Sequence, residues 1–124
     1  MAHIDHLGIQ CADLERSREF YAGVLGALGI RQLTCDLPVY GFGEDHPFFW
    51  LGPVTSPAET RELHVAFAAD DRAQVREFHR LAVDAGAEVL HEPRVFPEYH
   101  PTYYGAFIRD PDGHNVEAVC HRPE

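Results

Sequence analysis

The chain passes twice from a strand pattern into a helix pattern. Residues 4–11 alternate apolar with small or polar side chains, which predicts a strand, and the stretch after Asp13 repeats apolar side chains at helical spacing. Residues 63–68 are the second strand candidate, and a second helical stripe follows Asp70 or Asp71. Aspartate is a common helix N-cap, so each helix is predicted to begin beside one of these residues.

Three shorter extended segments follow each predicted helix, at 30–36, 39–43 and 48–51 and then at 88–95, 103–109 and 115–120. The predicted order is therefore βαβββ twice, in one α+β domain spanning residues 1–124. Module one covers about residues 1–52 and module two about residues 61–124. Proline and serine in residues 52–60 mark a short linker between the modules.

An internal repeat supports two equivalent modules. Moving the sequence by 58 residues places His6 on His64 and Asp13 on Asp71, and it superposes the identical triplets at 18–20 and 76–78 without a gap. We therefore predict that the chain contains a duplicated unit.

Charge and length limit the kinds of partner. The formal net charge is -10 and all ten cationic residues are arginine, which argues against nucleic-acid binding. No apolar run approaches the roughly 20 residues that cross a bilayer, so we expect no membrane span. Three cysteines without a C-x-x-C spacing argue against a disulfide framework and favour a reducing, cytoplasmic location.

The first strand of each module carries a histidine on a face of small residues. His6 shares its face with Gly8, opposite Leu7 and Ile9, and His64 likewise shares its face with alanines at 66 and 68. Glycine and alanine leave space beside an imidazole, whereas large apolar residues pack against helices. A single histidine in such a strand is more often structural, but two at duplicated positions favour a shared site.

Glu117 is the candidate for a third ligand. It lies in an otherwise apolar strand at 115–119, where an ionised carboxylate needs a cation or another strong partner unless the strand is an exposed edge. Two histidines and one carboxylate leave metal coordination positions open. Such a set suits non-haem Fe(II) or Mn(II), and zinc is also compatible.

Several segments resemble the vicinal-oxygen-chelate superfamily, which includes glyoxalases, bleomycin resistance proteins and extradiol dioxygenases. The resemblance rests on IDHL at 4–7, LHVAF at 63–67 and, most specifically, DPDGHNVE at 110–117. It implies two βαβββ modules whose mixed sheets curve into a half-open funnel with helices outside. It also implies that His6, His64 and Glu117 bind a divalent metal such as Fe, Mn, Zn or Ni.

One position departs from the glyoxalase I pattern. A fourth metal ligand is expected there near the end of the last strand of module one, where this chain has Trp50. Tryptophan does not bind metals, so a four-ligand glyoxalase site is not expected. Trp50, Phe48 and Tyr104 are instead predicted to line a substrate pocket.

The segment after the sixth predicted strand offers polar groups for catalysis. His100, on a loop beside Pro101, is a candidate acid or base, and Tyr103 is a candidate donor to a substrate oxygen. Strand alternation places Tyr103 and Tyr104 on opposite faces, so at most one of them should face the funnel. Surface positions are expected for the remaining histidines, at 3, 46, 79, 91, 114 and 121.

These features predict a metal-dependent enzyme, a lyase or dioxygenase, acting on a small molecule that chelates the metal through adjacent oxygens. The alternative is a metal-free protein that sequesters a cationic or aromatic compound, as bleomycin resistance proteins do. A homodimer is expected, and the resemblance leaves open whether His6 meets His64 and Glu117 within one chain or across two.

Overall fold

The computed structural model describes residues 4–55 and 62–124. Within them the elements of module one are β1 (Leu7–Cys11), α1 (Leu14–Val24), β2 (Arg31–Asp36), β3 (Val39–Gly43) and β4 (Pro47–Pro53). Those of module two are β5 (His64–Ala68), α2 (Arg72–Asp84), β6 (Val89–Val95), β7 (Tyr104–Arg109) and β8 (Asn115–Cys120). The predicted α+β class and the repeated βαβββ order are confirmed. Of the predicted linker, positions 52 and 53 end β4, and positions 56–60 lie outside the described residues.

Each module forms a four-stranded mixed sheet, and the strand orders are β1-β4-β3-β2 and β5-β8-β7-β6. β1 pairs with β4 in parallel, as β5 does with β8, and the remaining pairs are antiparallel. The sheets are not closed into a barrel. β1 and β5 are consequently edge strands in the part of the chain that the structure describes.

Local signals set the ends of the helices. The Asp13 carboxylate accepts a hydrogen bond from the backbone N–H of Arg16 at 3.2 Å, and Asp71 accepts one from that of Gln74 at 2.8 Å. The second cap is therefore Asp71 rather than Asp70. A short 3-10 helix extends α1 and ends at Gly29, whose φ of 78° favours glycine.

The hydrophobic core lies between the helices and one face of each sheet. Phe49 of β4 packs edge-to-face against Tyr21 of α1 at 5.0 Å and against Phe67 of β5 at 5.2 Å, so side chains from both modules share one core. Ile9 and Phe67 are buried as the strand patterns predict. Leu7 differs from the prediction, since it is 36% exposed at the start of β1, where it lines a groove.

The turn between β7 and β8 joins the two modules. Asp110 Oδ1 accepts hydrogen bonds from the backbone N–H groups of Asp112 and His114, both at 2.9 Å, and its Oδ2 accepts one from the Tyr21 hydroxyl at 2.6 Å. Gly113, with a φ of 87°, completes the turn. The segment 110–117, the most specific part of the family resemblance, therefore includes a turn that sets where β8 begins.

His114 corrects the prediction that the remaining histidines lie on the surface, since it is only 2% exposed. Its Nδ1 accepts a hydrogen bond from the backbone N–H of Leu63 at 3.0 Å, so the ring is held beneath the start of β5. His3 lies outside the described residues. None of the helices that the structure describes is long and apolar enough to cross a membrane.

Candidate functional site

The strand registers of the two modules place Trp50 and Glu117 at equivalent positions. Gly8 of β1 pairs with Trp50, and Ala66 of β5, which lies 58 residues after Gly8, pairs with Glu117. The neighbours of both residues along their strands belong to the core, so Trp50 and Glu117 point to the faces of the sheets away from the helices. The same site in the duplicated fold thus carries an indole in one module and a carboxylate in the other.

Glu117 is completely buried, and one of its oxygens is not satisfied. Oε1 lies 3.1 Å from Nε2 of His64, an ion-pair distance. That contact does not meet hydrogen-bond geometry, and Oε1 has no hydrogen-bond partner among the described residues. A buried carboxylate oxygen without a partner is costly, which makes this atom the strongest candidate for binding a cation.

The spacing of these two atoms fits a shared metal ion. Two ligands that each lie about 2.1 Å from one ion, at an angle between about 90° and 109°, are about 3.0 to 3.4 Å apart. The observed 3.1 Å between His64 and Glu117 falls in that interval. The imidazole of His64 is half exposed, so the pair is accessible from solvent on the His64 side.

Tyr103 holds the second oxygen of Glu117. Its hydroxyl donates a short hydrogen bond to Oε2. Burial of the ring, together with the nearby carboxylate, raises the pKa of Tyr103, so the phenol keeps its proton at neutral pH. Tyr103 therefore acts as a hydrogen-bond donor to Glu117.

An aromatic cluster covers Glu117 on this face of the sheet. It consists of Phe96, Tyr99, Tyr103 and Phe107, with the rings of His64, His91, His100 and His121 around them. Phe107 stacks on His64 with ring centroids 5.9 Å apart and 14° between the planes, which helps to fix the imidazole. Neither Phe96 nor Phe107 was predicted as a site residue, although alternation from Gly105 places Phe107 on the Glu117 face.

His100 pairs with His121 rather than standing alone. Nε2 of His100 lies 2.6 Å from Nδ1 of His121, and the rings stack at 4.9 Å. Because the backbone N–H of Thr102 donates to Nδ1 of His100 at 3.2 Å, we assign the His100 proton to Nε2, which donates to His121. His121 was not predicted as a site residue, but the alternation 117, 119, 121 along the end of β8 would have indicated it.

His6 lies near His64 but does not complete a metal cluster within one chain. It is 62% exposed, and its Nδ1 is 2.7 Å from Asp5 Oδ1. His6, His64 and Phe48 line one groove of about 540 Å³. Residues 4–55 and 62–124 contain no group of three His, Cys, Asp or Glu side chains arranged to hold a metal ion.

The structure places the three predicted pocket residues in different parts of the molecule. Phe48 lines the groove with His6 and His64. The Trp50 ring lies over Gly41, where an added Cβ would be 2.8 Å from the indole. Tyr104 points to the helix side of its sheet, packed against the core and beneath the Arg72 guanidinium at 4.8 Å, so the structure does not bring it to the Glu117 face.

Several solved structures are similar to this fold over nearly the whole length of the chain. A glyoxalase/bleomycin resistance protein from Albidiferax ferrireducens T118 shares 26% identity, with 94% of this chain and 97% of that chain covered and a TM-score of 0.83. Lactoylglutathione lyase from Agrobacterium tumefaciens shares 23% identity, with 97% and 94% covered and a TM-score of 0.69. The fosfomycin resistance protein FosX from Mesorhizobium loti shares 20%, with 97% and 92% covered and a TM-score of 0.69. The latter two likenesses show the fold alone.

Comparison with curated protein sequences gave no match. The model of the Glyoxalase/Bleomycin resistance protein/Dioxygenase superfamily, in contrast, matches residues 3–118. The match includes both histidines at duplicated positions, Glu117 and the turn that precedes it. The chain therefore belongs to the Glyoxalase/Bleomycin resistance protein/Dioxygenase superfamily.

Proposed function

We propose that this protein is a metal-dependent enzyme in which His64, Glu117 and His6 hold a divalent metal ion. Its substrate is a small molecule that chelates the metal through adjacent oxygens. The observation that carries the proposal is the fully buried Oε1 of Glu117, which lies 3.1 Å from the His64 imidazole and has no hydrogen bond among the described residues.

The free energy of burying Glu117 favours a cation. A buried ionised carboxylate is tolerated when a charge or several strong donors compensate its desolvation. Within the described residues its oxygens contact one phenol and one imidazole. A divalent ion on Oε1 would supply the missing compensation, whereas a metal-free binding protein gains nothing from this arrangement.

The superfamily supports the same class of chemistry, since its members include metal-dependent enzymes such as lactoylglutathione lyase and FosX. When bound, the ion would act as a Lewis acid on the chelating oxygens of the substrate. Phe48 and the aromatic cluster would shield the substrate from water, and three protein ligands would leave coordination positions for it. We propose a lyase or dioxygenase type of reaction, because the superfamily includes both.

We further propose that His6 reaches the site from a second copy of the chain. His6 is exposed beside apolar side chains that a partner would cover, since Ile4 is 81%, Leu63 39% and Leu7 36% exposed. His6 immediately precedes edge strand β1 and His64 begins edge strand β5, and both strands leave hydrogen-bonding groups for another chain. A homodimer with the groove at its interface would place His6 of one subunit against His64 and Glu117 of the other.

Metal affinity tests the proposed ligands directly. His6→Ala, His64→Ala and Glu117→Gln should each lower divalent-metal affinity at least about 10-fold, since even indirect changes around metal ligands cost about 10–100-fold. Affinity would be measured by competition with a chelator, and metal content by elemental analysis after dialysis. Thermal unfolding of the metal-free variants would show that the fold persists.

His79→Ala is the matched control, because His79 lies on α2, away from the His64 and Glu117 pair. It should bind metal like the parent protein. Parental affinity in all three ligand variants would reject the metal site, and an aromatic or cationic compound bound equally well with and without metal would favour the sequestering protein instead.

A further inference from the structure

Glu117 has two oxygens in different surroundings, and Tyr103 creates the difference. The Tyr103 hydroxyl donates to Oε2, while Oε1 faces His64 without a hydrogen bond. A carboxylate that is free on both sides can bind a metal through one oxygen or through both. A strong donor fixed on one oxygen favours binding through the other.

The Tyr103 ring is held in place from several directions. Phe96, Tyr99, His100 and His121 contact it with ring centroids between 5.0 and 6.0 Å away. The hydrogen bond between His100 and His121, and that from the Thr102 hydroxyl to the His121 carbonyl at 2.7 Å, tie the loop before β7 to the end of β8. The phenol therefore has little freedom to leave Glu117.

The backbone of β7 leaves room for this contact. Gly105 lies beside the carboxylate, and a Cβ at this position would be 3.1 Å from Oε2 of Glu117 and 3.4 Å from Cε1 of Tyr103. A side chain there would crowd the carboxylate against the phenol. The close approach at Gly105 is independent of the hydrogen bond, and it also indicates that the backbone of β7 is fitted to this position of Oε2.

We propose that Tyr103 is a positioning residue that makes Glu117 a one-oxygen metal ligand through Oε1. This inference rests on the proposed metal site. Its consequence is functional, because a carboxylate bound through both oxygens would occupy one more coordination position. Tyr103 keeps that position free for the second oxygen of a chelating substrate.

Tyr103→Phe tests the inference because it removes the hydroxyl and keeps the ring. With Co(II) as the probe, the variant should bind at least about 10-fold more weakly than the parent. Its visible absorption should weaken as Glu117 binds through both oxygens and the coordination number rises. Tyr40→Phe is the matched control, because it removes a hydroxyl that donates to Glu15 in module one, away from Glu117, and it should match the parent in affinity and spectrum. A purely structural role for Tyr103 would lower the melting temperature of the metal-free protein without changing the Co(II) spectrum.

Gly105→Ala is the second variant, and it decides the matter if Tyr103→Phe does not fold. The added Cβ would push Oε2 of Glu117 and the Tyr103 ring apart. Gly105→Ala should therefore weaken both the visible absorption and the affinity for Co(II), as Tyr103→Phe does. Parental affinity and spectrum in the folded variants would overturn the positioning role while leaving the metal site intact. A parent protein that binds no Co(II) would overturn the metal site itself, and the inference with it.

Discussion

At the scale of single residues, the two modules use one structural position for different purposes. Trp50 and Glu117 occupy equivalent places in their sheets, yet Trp50 lies over Gly41 while Glu117 is buried beneath Tyr103. The side chains around each position account for the difference. The indole needs the flat space above a glycine, and the carboxylate needs a donor on one side and a charge on the other.

Trp50 is the chain's only tryptophan, so its fluorescence can report on the metal. We expect Trp50 to line the site near the ion without binding it, so titration with Co(II) or Mn(II) should quench its emission. Zn(II) is the control, since it has the same charge and no unpaired electrons. Unchanged emission at saturation with Co(II), in protein shown to bind it, would place Trp50 away from the site.

At the scale of elements, the turn between β7 and β8 controls the register of β8, the strand that carries Glu117. Glu117 is the third residue of β8, and the turn that precedes it is held by Asp110 through two backbone N–H groups and the Tyr21 hydroxyl. A shift of one residue would turn Glu117 into the core and an apolar neighbour out of it. The turn therefore has a direct part in presenting the candidate ligand.

Tyr21→Phe should lower the free energy of unfolding by about 1–3 kcal/mol, because it removes a buried hydrogen bond to a carboxylate. Chemical denaturation of the metal-free protein measures this change. Tyr99→Phe serves as the comparison: Tyr99 is 61% exposed, so its loss should stay within about 0.5 kcal/mol. Equal stabilities of the two variants would mean that the link from Tyr21 to Asp110 contributes little to joining the modules.

At the scale of the whole molecule, one chain holds the two modules together through a common core but leaves the edges of β1 and β5 open in the part described. The exposed apolar residues beside His6 and His64 lie at these edges. A second copy would cover them and would bring the third ligand to the site. Binding of the metal by all three ligands would then require the dimer.

Mixing two variants that each lack one proposed metal ligand tests this arrangement. In a heterodimer of His6→Ala and Glu117→Gln subunits, a site shared across the interface is intact once and doubly altered once, whereas a site within each chain is defective twice. Random exchange of equal amounts should therefore restore about one quarter of the parental high-affinity sites. Each variant refolded alone is the control. No recovery in a mixture shown to contain heterodimers would place all three ligands in one chain.

Tertiary structure decided the features of the site that depend on distant segments. Two of these features are hydrogen bonds between different strands or loops, from Tyr103 to Glu117 and between His100 and His121. The burial of His114 likewise depends on segments that are distant in the sequence. Alternation placed Tyr103 and Tyr104 on opposite faces, but only the position of α2 showed that Tyr104, predicted to line the pocket, packs under Arg72 on the helix side. The catalytic role of His100 stays a prediction. The predicted donation from Tyr103 to a substrate oxygen competes with the hydrogen bond from its hydroxyl to Glu117.

The sequence by itself determined the repeated βαβββ order, the cap of α1 and the equivalence of His6 with His64, because each depends on local hydrogen bonds or on the period of side chains along one element. It limited the cap of α2 to Asp70 or Asp71. It also indicated Glu117, since a charge inside an apolar strand conflicts with burial unless something compensates it. Only the tertiary structure showed that Oε1 of this carboxylate is buried beside His64 while Oε2 is held by Tyr103. Those distances depend on sheet register and side-chain packing, which a linear pattern does not contain.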